Sequence, residues 1–263
     1  MDRSMMFDLK GQIAFVTGAA KGLGLAMAEI VAQSGARVVM TDIDPGALAA
    51  STERLAAQGL DVVGQVLDVA DVDLLARTID QVAETHGRLD IVFANAGLSA
   101  GSGPLTEAGC LANTDMERWN RLLTINLTSV FMTIRAASAH MVKQRYGRII
   151  VTASIAGIRG EKMCGYAYAA TKAAVSNLVR QSSIELSANN VTVNAIAPGA
   201  FLTNIGNGRL HDPEVAAGFS RDVPMGRLGM PDEIKGLALL LASPAASYIT
   251  GAVIPVDGGA TAS

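Results

Sequence analysis

Hydrophobic positions along the chain fall into short unbroken runs, separated by longer stretches in which apolar residues recur at helical spacing. QIAFVTG (12–18) is a β-rich run ending in glycine, and the Ala/Leu/Met-rich stretch 23–34 after it reads as a helix. The alternation continues through a strand at 36–42, a helix at about 45–58, a strand at 61–68, a helix at about 72–85 and a strand at 89–97. The second half repeats it with a helix near 115–143, a strand at 147–154, a helix at about 167–188, a strand at 190–199, a helix at about 231–242 and a last strand at 252–257. Asp44 ahead of Pro45 predicts a helix start, with a carboxylate cap and a proline whose missing N–H costs nothing at the first helical position. Runs such as IAFV, RVVM and RIIV carry no polar alternation, as expected of strands covered on both faces. Seven such strands alternating with helices predict a doubly wound α/β fold, a seven-stranded parallel sheet with helices on both faces. Two stretches interrupt the rhythm, 98–114 and 200–229, and long loops inside a compact domain are commonly functional. No repeat or linker divides residues 1–263, so a single domain is expected.

Composition narrows the function classes. Of the 263 residues 50% are hydrophobic but only 4% aromatic, so the core must be built from Ala, Val, Leu, Ile and Met. The net charge of −3, with no basic run, argues against a nucleic-acid partner. Cys110 and Cys164 lie far apart, and His86, His140 and His211 are scattered, so neither a metal site nor a disulfide framework is expected. MDRSMMFDLKG at the start lacks the apolar core of a signal peptide, and two free thiols suit a cytoplasmic protein. The uncharged stretch 236–256 is long enough to span a bilayer, but Pro244, Gly251 and Pro255 predict a helix, a turn and a strand there instead.

Candidate chemistry lies where strands end. Thr17-Gly18-Ala19-Ala20-Lys21-Gly22-Leu23-Gly24 sits at a strand-to-helix turn, where Gly18, Gly22 and Gly24 let the backbone approach a ligand and helix N–H groups face a pyrophosphate. Asp42, at the end of the second strand, strengthens that reading because its carboxylate can accept hydrogen bonds from a ribose, with a strand-end turn residue as the lesser alternative. Asp68-Val69 and Asn95-Ala96-Gly97 close the next two strands, Ser154 closes the fifth, and Tyr168 and Lys172 share one face of the following helix at i, i+4 spacing.

Taken in order, TGxxxGxG, the strand-end Asp, NAG, the strand-end Ser, YxxxK and the later Pro198-Gly199 to Thr203 resemble the short-chain dehydrogenase/reductase family, over roughly residues 10–260. The stretch 226–259 resembles that family's C-terminal segment as well. The resemblance implies an NAD(P)-dependent oxidoreductase with a Rossmann fold, usually a homotetramer. It implies catalytic roles for Ser154, Tyr168 and Lys172, and for Asn126 as the helix asparagine supporting a proton relay. It also implies cofactor contacts at Gly18, Lys21, Gly22, Leu23, Asp42, Asp68, Val69, Asn95, Gly97, Tyr168, Lys172, Pro198 and Thr203. Ala94 departs from the family pattern where a first asparagine is common, and the 98–114 loop is a few residues longer than usual. Tyr166 is a rival tyrosine but has Ala170, not a lysine, four residues on.

Such a site suits transfer of a hydride between a secondary alcohol and a nicotinamide. A tyrosine of ordinary pKa near 10 is only about 0.1% ionised at pH 7, and bringing it to pH 7 takes about 4 kcal/mol. A lysine ammonium about 4 Å away supplies about 4 kcal/mol at an effective dielectric near 20, before desolvation opposes it. Ser154 can hold the substrate oxygen near Tyr168. Asp42 followed by Ile43 favours NAD over NADP, because a carboxylate repels a 2′-phosphate, whereas Lys21 pulls toward NADP. Arg159, Glu161 and Lys162, with Asn204, Asn207, Arg209 and His211, suggest a polar substrate: a polyol, sugar or sugar acid. An NADPH-dependent 3-oxoacyl thioester reductase is the alternative, and a non-catalytic nucleotide-sensing protein is the reading from a different class.

Overall fold

The computed structural model describes residues 6–99, 101–203 and 211–262. The loop residues Asn204, Asn207 and Arg209 lie outside the described residues. Seven parallel strands form one sheet: β1 (Ile13–Thr17), β2 (Arg37–Asp42), β3 (Val62–Val66), β4 (Ile91–Ala94), β5 (Gly147–Thr152), β6 (Val191–Pro198) and β7 (Val253–Val256). Their order is β3-β2-β1-β4-β5-β6-β7. The chain therefore winds outward from β1 in one direction, then crosses back to β4 and winds in the other. Between β1 and β4 the connections leave in opposite directions, which opens a crevice above the carboxyl ends of the strands.

Side-chain alternation along the strands builds two apolar layers. Phe15, Val39, Val92, Ile149 and Val193 point to one face of the sheet, where α3 (Val72–His86), α5 (Ser129–Gln144) and α6 (Tyr166–Leu186) cover them. Val16, Val38, Met40, Phe93, Ile150 and Ile196 point to the other, under α1 (Gly22–Gln33), α2 (Pro45–Ala57) and α8 (Lys235–Ala242). All five residues of β1 are buried, as the unbroken apolar run requires. Ala94 is buried where β4 pairs with Val151 of β5, so a small side chain suits the position.

Several helix starts follow the carboxylate-cap logic. Asp44 Oδ1 accepts from Ala47 N at 3.0 Å and Asp71 Oδ1 from Leu74 N at 2.9 Å, each satisfying an otherwise orphaned first-turn donor. α3 ends at His86 with Gly87 in the left-handed region (φ 69), and His140 Nε2 lies 2.7 Å from Asp80 Oδ1, tying α5 to α3. The uncharged stretch 236–256 divides into α8, a 3₁₀ turn at Pro244–Ala246 and β7, as the prolines require. Among the described residues, Met116–Gln144 is long and apolar enough to cross a membrane by length and composition. In this fold its apolar positions Leu122, Ile125, Val130, Ile134 and Met141 are buried in the protein.

Two elements depart from the sequence expectation. The helix expected near 115–143 is α4 (Met116–Leu123) running into α5 through a π-turn at Thr124–Thr128, with Asn126 inside it. Local widening of this kind leaves the apolar spacing readable as one helix. The 200–229 stretch also contains a helix, α7 (Pro213–Ser220), capped by Asp212, whose carboxylate accepts from Glu214 N and Val215 N.

Candidate active site

The carboxyl ends of β1 through β6 surround a cavity of about 940 Å³. One end lies over the glycine turn after β1. Gly18 and Gly22 have positive φ (64 and 56), a conformation other residues reach only at a cost. A Cβ on Gly18 would stand 2.9 Å from Ala96 Cα, and one on Gly24 would run into the Gly18 carbonyl oxygen and the Asn95 amide. Unlike α2, α3, α4 and α7, α1 has no side-chain cap, and its first turn faces the cavity through Lys21, Gly22, Leu23 and Gly24. A bare helix N-terminus over a glycine cradle fits a dinucleotide pyrophosphate. Asp42, Ile43, Asp68 and Val69 continue the wall, and Pro198 and Thr203 also line it, Thr203 lying beside the glycine turn, 3.5 Å from where a Cβ on Gly22 would stand.

Local hydrogen bonds refine several of the expected cofactor contacts. Asp42 Oδ2 accepts from Ala20 N (3.0 Å) and Oδ1 from Asp44 N (3.1 Å), so its carboxylate also braces the glycine turn. Lys21 Nζ is ion-paired with Asp44 Oδ2 at 2.8 Å. Asp68 Oδ1 accepts from Ala70 N at 2.9 Å. Asn95 lines the cavity, but its side chain is engaged within the protein. Nδ2 donates to Thr17 O (3.0 Å) and Gly18 O (3.1 Å), and Oδ1 accepts from Thr152 Oγ1 (3.0 Å). Asn95 thereby ties the ends of β1, β4 and β5 together. Thr17, which the sequence reading passed over, completes the knot by accepting from Asn95 N and Ala96 N through Oγ1.

The inner end of the cavity collects Ser154, Tyr168 and Lys172. Ser154 follows β5 with extended backbone, its Oγ accepting from Ala156 N at 3.2 Å and hydrogen-bonded to Tyr168. Tyr168 and Lys172 lie one turn apart in α6, with Nζ 5.6 Å from the phenol ring centroid. Lys172 is 4% exposed and donates to Thr152 O at 2.7 Å. Burial lowers its ammonium from 10.5 to about 8. Burial also pushes the Tyr168 phenol up, and the Ser154 hydrogen bond acts against that rise. A charge acting over about 5–6 Å at an effective dielectric near 20 is worth about 3 kcal/mol, the order of help a phenolate here would draw from Lys172. Tyr166, the rival tyrosine, begins the same helix, is exposed and lies off the described cavity wall.

Asn126 packs between the π-turn and the loop after β4. It is fully buried, with Oδ1 accepting from Leu98 N and Nδ2 donating to Leu98 O, both at 2.8 Å. Its amide is thus engaged on the loop after β4, and the wall is formed by Thr124 and Ile125 of the same π-turn. The contact positions Gly97: a Cβ there would lie 3.2 Å from Asn126 Oδ1 and 3.8 Å from Lys172 Nζ. Cys164 lines the cavity, with its thiol pushed up to about 11 by burial and by Glu161, which suits an inert thiol. Arg159 and Glu161 are on the wall, while Lys162 is paired with Asp222 at 2.7 Å. His211 is exposed and off the wall. Arg118 and Arg121 of α4 also line it; the sequence reading missed both, because nothing in the local pattern shows that this helix face borders the cavity. No group of three metal-ligating side chains occurs among the described residues.

This sheet order, glycine turn and Ser/Tyr/Lys grouping define a Rossmann-type oxidoreductase site. Residues 18–261 match the family model described as enoyl-(acyl carrier protein) reductase. The chain is 38% identical over 253 residues to the 3-oxoacyl-[acyl-carrier-protein] reductase FabG of Vibrio harveyi, covering 96% of this chain and 98% of that protein. It is 37% identical to the cis-4-hydroxycyclohexanecarboxylate dehydrogenase of Sinomonas cyclohexanicum, covering 95% and 97%. Among solved structures, a gluconate 5-dehydrogenase from Burkholderia cenocepacia in complex with NADP and tartrate superposes with a TM-score of 0.90 at 30% identity, covering 99% of both chains. The chain belongs to the short-chain dehydrogenase/reductase family, within the group this model describes, and is an oxidoreductase acting on CH–OH groups.

Proposed function

We propose that this protein is an NAD-dependent dehydrogenase that interconverts a secondary alcohol and its ketone, on a polyol, sugar or sugar-acid substrate. The observation that carries the reading is the grouping of Tyr168, bonded to Ser154, with Lys172 5.6 Å from its ring, in the cavity that also holds the glycine turn. Ser154 donates to the substrate oxygen and holds it against the Tyr168 hydroxyl. The phenolate of Tyr168 accepts the alcohol proton, and the phenol returns it when a ketone is reduced. Lys172 stays cationic beneath it, anchored on Thr152 O, and favours the phenolate. Asn126 acts through position, holding Leu98 and hence the Gly97 turn next to Lys172. A nicotinamide cofactor held in this cavity would supply the hydride chemistry at the substrate carbon, with Tyr168 handling the proton.

Gly18, Gly22 and Leu23 would hold the pyrophosphate, Asp42, Asp68 and Val69 the adenosine end, and Gly97, Pro198 and Thr203 the nicotinamide end. NAD is favoured because Asp42 sets a carboxylate where a 2′-phosphate would lie, while Lys21 is paired with Asp44. The rival reading, an NADPH-dependent 3-oxoacyl thioester reductase, draws on the FabG likeness and on the NADP-bound neighbour. The whole chain, 1–263, would serve as one nucleotide-binding domain, with 98–114 and 200–229 as substrate loops, working as a cytoplasmic homotetramer. The test follows nicotinamide absorbance with NAD⁺ and NADP⁺ in parallel over polyols, sugar acids, cyclic alcohols and 3-hydroxyacyl thioesters. Turnover of a hydroxy substrate with NAD⁺ supports the reading. Turnover of thioesters alone with NADP⁺ supports the rival, and cofactor binding without any turnover leaves the sensor.

A further inference from the structure

The substrate end of the cavity carries cations that the chemistry of hydride transfer does not use. Arg118 and Arg121 sit three residues apart on α4, a spacing that places both on one helical face, and both line the cavity wall. Arg118 is held in place: its Nη2 donates to Ser99 O at 3.3 Å and packs 2.9 Å from where a Cβ on Gly101 would stand. The carboxylates on the same wall are otherwise engaged. Asp222 pairs with Lys162 at 2.7 Å, and Glu161 accepts from Met163 N at 3.1 Å and lies 4.0 Å from Arg159. No ion pair joins Arg118 or Arg121 to a carboxylate among the described residues. A guanidinium presents five N–H donors in a fork that matches a carboxylate or a phosphate, and two such forks on one wall make a cationic rim to a cavity whose floor is Tyr168 and Ser154.

We infer that Arg118 and Arg121 form a subsite for an anionic group of the substrate. The inference rests on the alcohol–ketone reading above and names the substrate class within it: a hydroxy or keto compound that also bears a carboxylate or phosphate. Two sources supply such an anion, a free carboxylate and the phosphate of a phosphopantetheine thioester, and both present oxygens to the same forks.

Calorimetric titration reads the subsite without turnover. 4-Oxocyclohexanecarboxylate and neutral cyclohexanone are titrated into the wild type, Arg121→Gln, Arg118→Gln and, as a control on an exposed position away from the cavity, Arg77→Gln. A third arm compares a 3-oxobutanoyl thioester of phosphopantetheine with that of pantetheine. The subsite predicts that in at least one arm the anion binds ten-fold or more tightly than its neutral partner. It predicts that Arg121→Gln or Arg118→Gln removes most of that ratio, Arg77→Gln leaves it, and raised salt shrinks it. The arm showing the ratio names the source of the anion. Equal binding of charged and neutral partners in both arms, or a ratio indifferent to both cavity arginines, overturns the subsite. Failure of the alcohol–ketone reading would show separately, as anion-selective binding with no turnover of any alcohol in the panel.

Discussion

Replacing Lys172 with methionine separates its electrostatic role from its packing role. The side chain is buried, donates to Thr152 O at 2.7 Å and places its ammonium 5.6 Å from the Tyr168 ring. With an effective dielectric near 20, that charge favours the phenolate by about 3 kcal/mol, which equals about two pH units in the tyrosine's titration. Lys172→Met should therefore move the acid limb of kcat/KM for alcohol oxidation up by about two pH units and lower the rate at pH 7 about 100-fold. Stability should respond in the opposite sense. Because the lysine titrates at about 8 folded against 10.5 when exposed, the unfolded chain binds more protons between those values. The penalty for holding the cation is fully present below pH 8 and is relieved as pH rises toward 10.5, a change of about 3 kcal/mol. Wild-type stability should thus climb across that window in urea titrations, whereas the methionine variant should lack the climb. An unmoved acid limb in the variant, measured from pH 5 to 10 with cofactor saturating, would refute the argument that Lys172 tunes the phenol.

Three further outcomes follow from the cofactor end. Asp42→Ala removes the carboxylate that opposes a 2′-phosphate, so the ratio of NADPH to NADH dissociation constants should fall about ten-fold by fluorescence titration, equivalent to about 1.4 kcal/mol. Gly24→Ala drives a Cβ into the Gly18 carbonyl and the Asn95 amide, so melting should drop by the equivalent of about 1–3 kcal/mol and NADH should bind more weakly. Asn126→Ala leaves Leu98 N and O without their partner, and should lower kcat through displacement of the Gly97 turn while NADH affinity changes less.

Much of this was legible in the residues, and the exceptions have physical causes. Unbroken apolar runs located β1, β2 and β5, because strands buried on both faces tolerate no polar alternation, whereas the edge strands β3 and β7, only partly buried, were marked by their place in the strand–helix rhythm. The Asp44-Pro45 pair marked the start of α2, and Asp212-Pro213 carries the same signature for α7, yet it sits in a stretch too short and too glycine-flanked to show helical periodicity. Residue types alone could not show that the Asn95 amide faces inward to Thr17, Gly18 and Thr152, since that depends on three strand ends meeting. The π-turn around Asn126 leaves no trace in apolar spacing, and it is there that the amide turns onto Leu98. Arg118 and Arg121 carry no signal of their own in the sequence, since only the sheet order brings α4 to the cavity.

The central claim is that Tyr168 exchanges the substrate proton. Turnover of Tyr168→Phe, set beside its NADH affinity by fluorescence titration, tests it most directly. The account predicts loss of alcohol oxidation and ketone reduction by at least about 1000-fold, the scale expected when a positioned acid–base is removed, with the dissociation constant for NADH within a few-fold of wild type. Activity retained at more than about a tenth of wild type, with cofactor still bound, would place the acid–base on another residue and contradict the account.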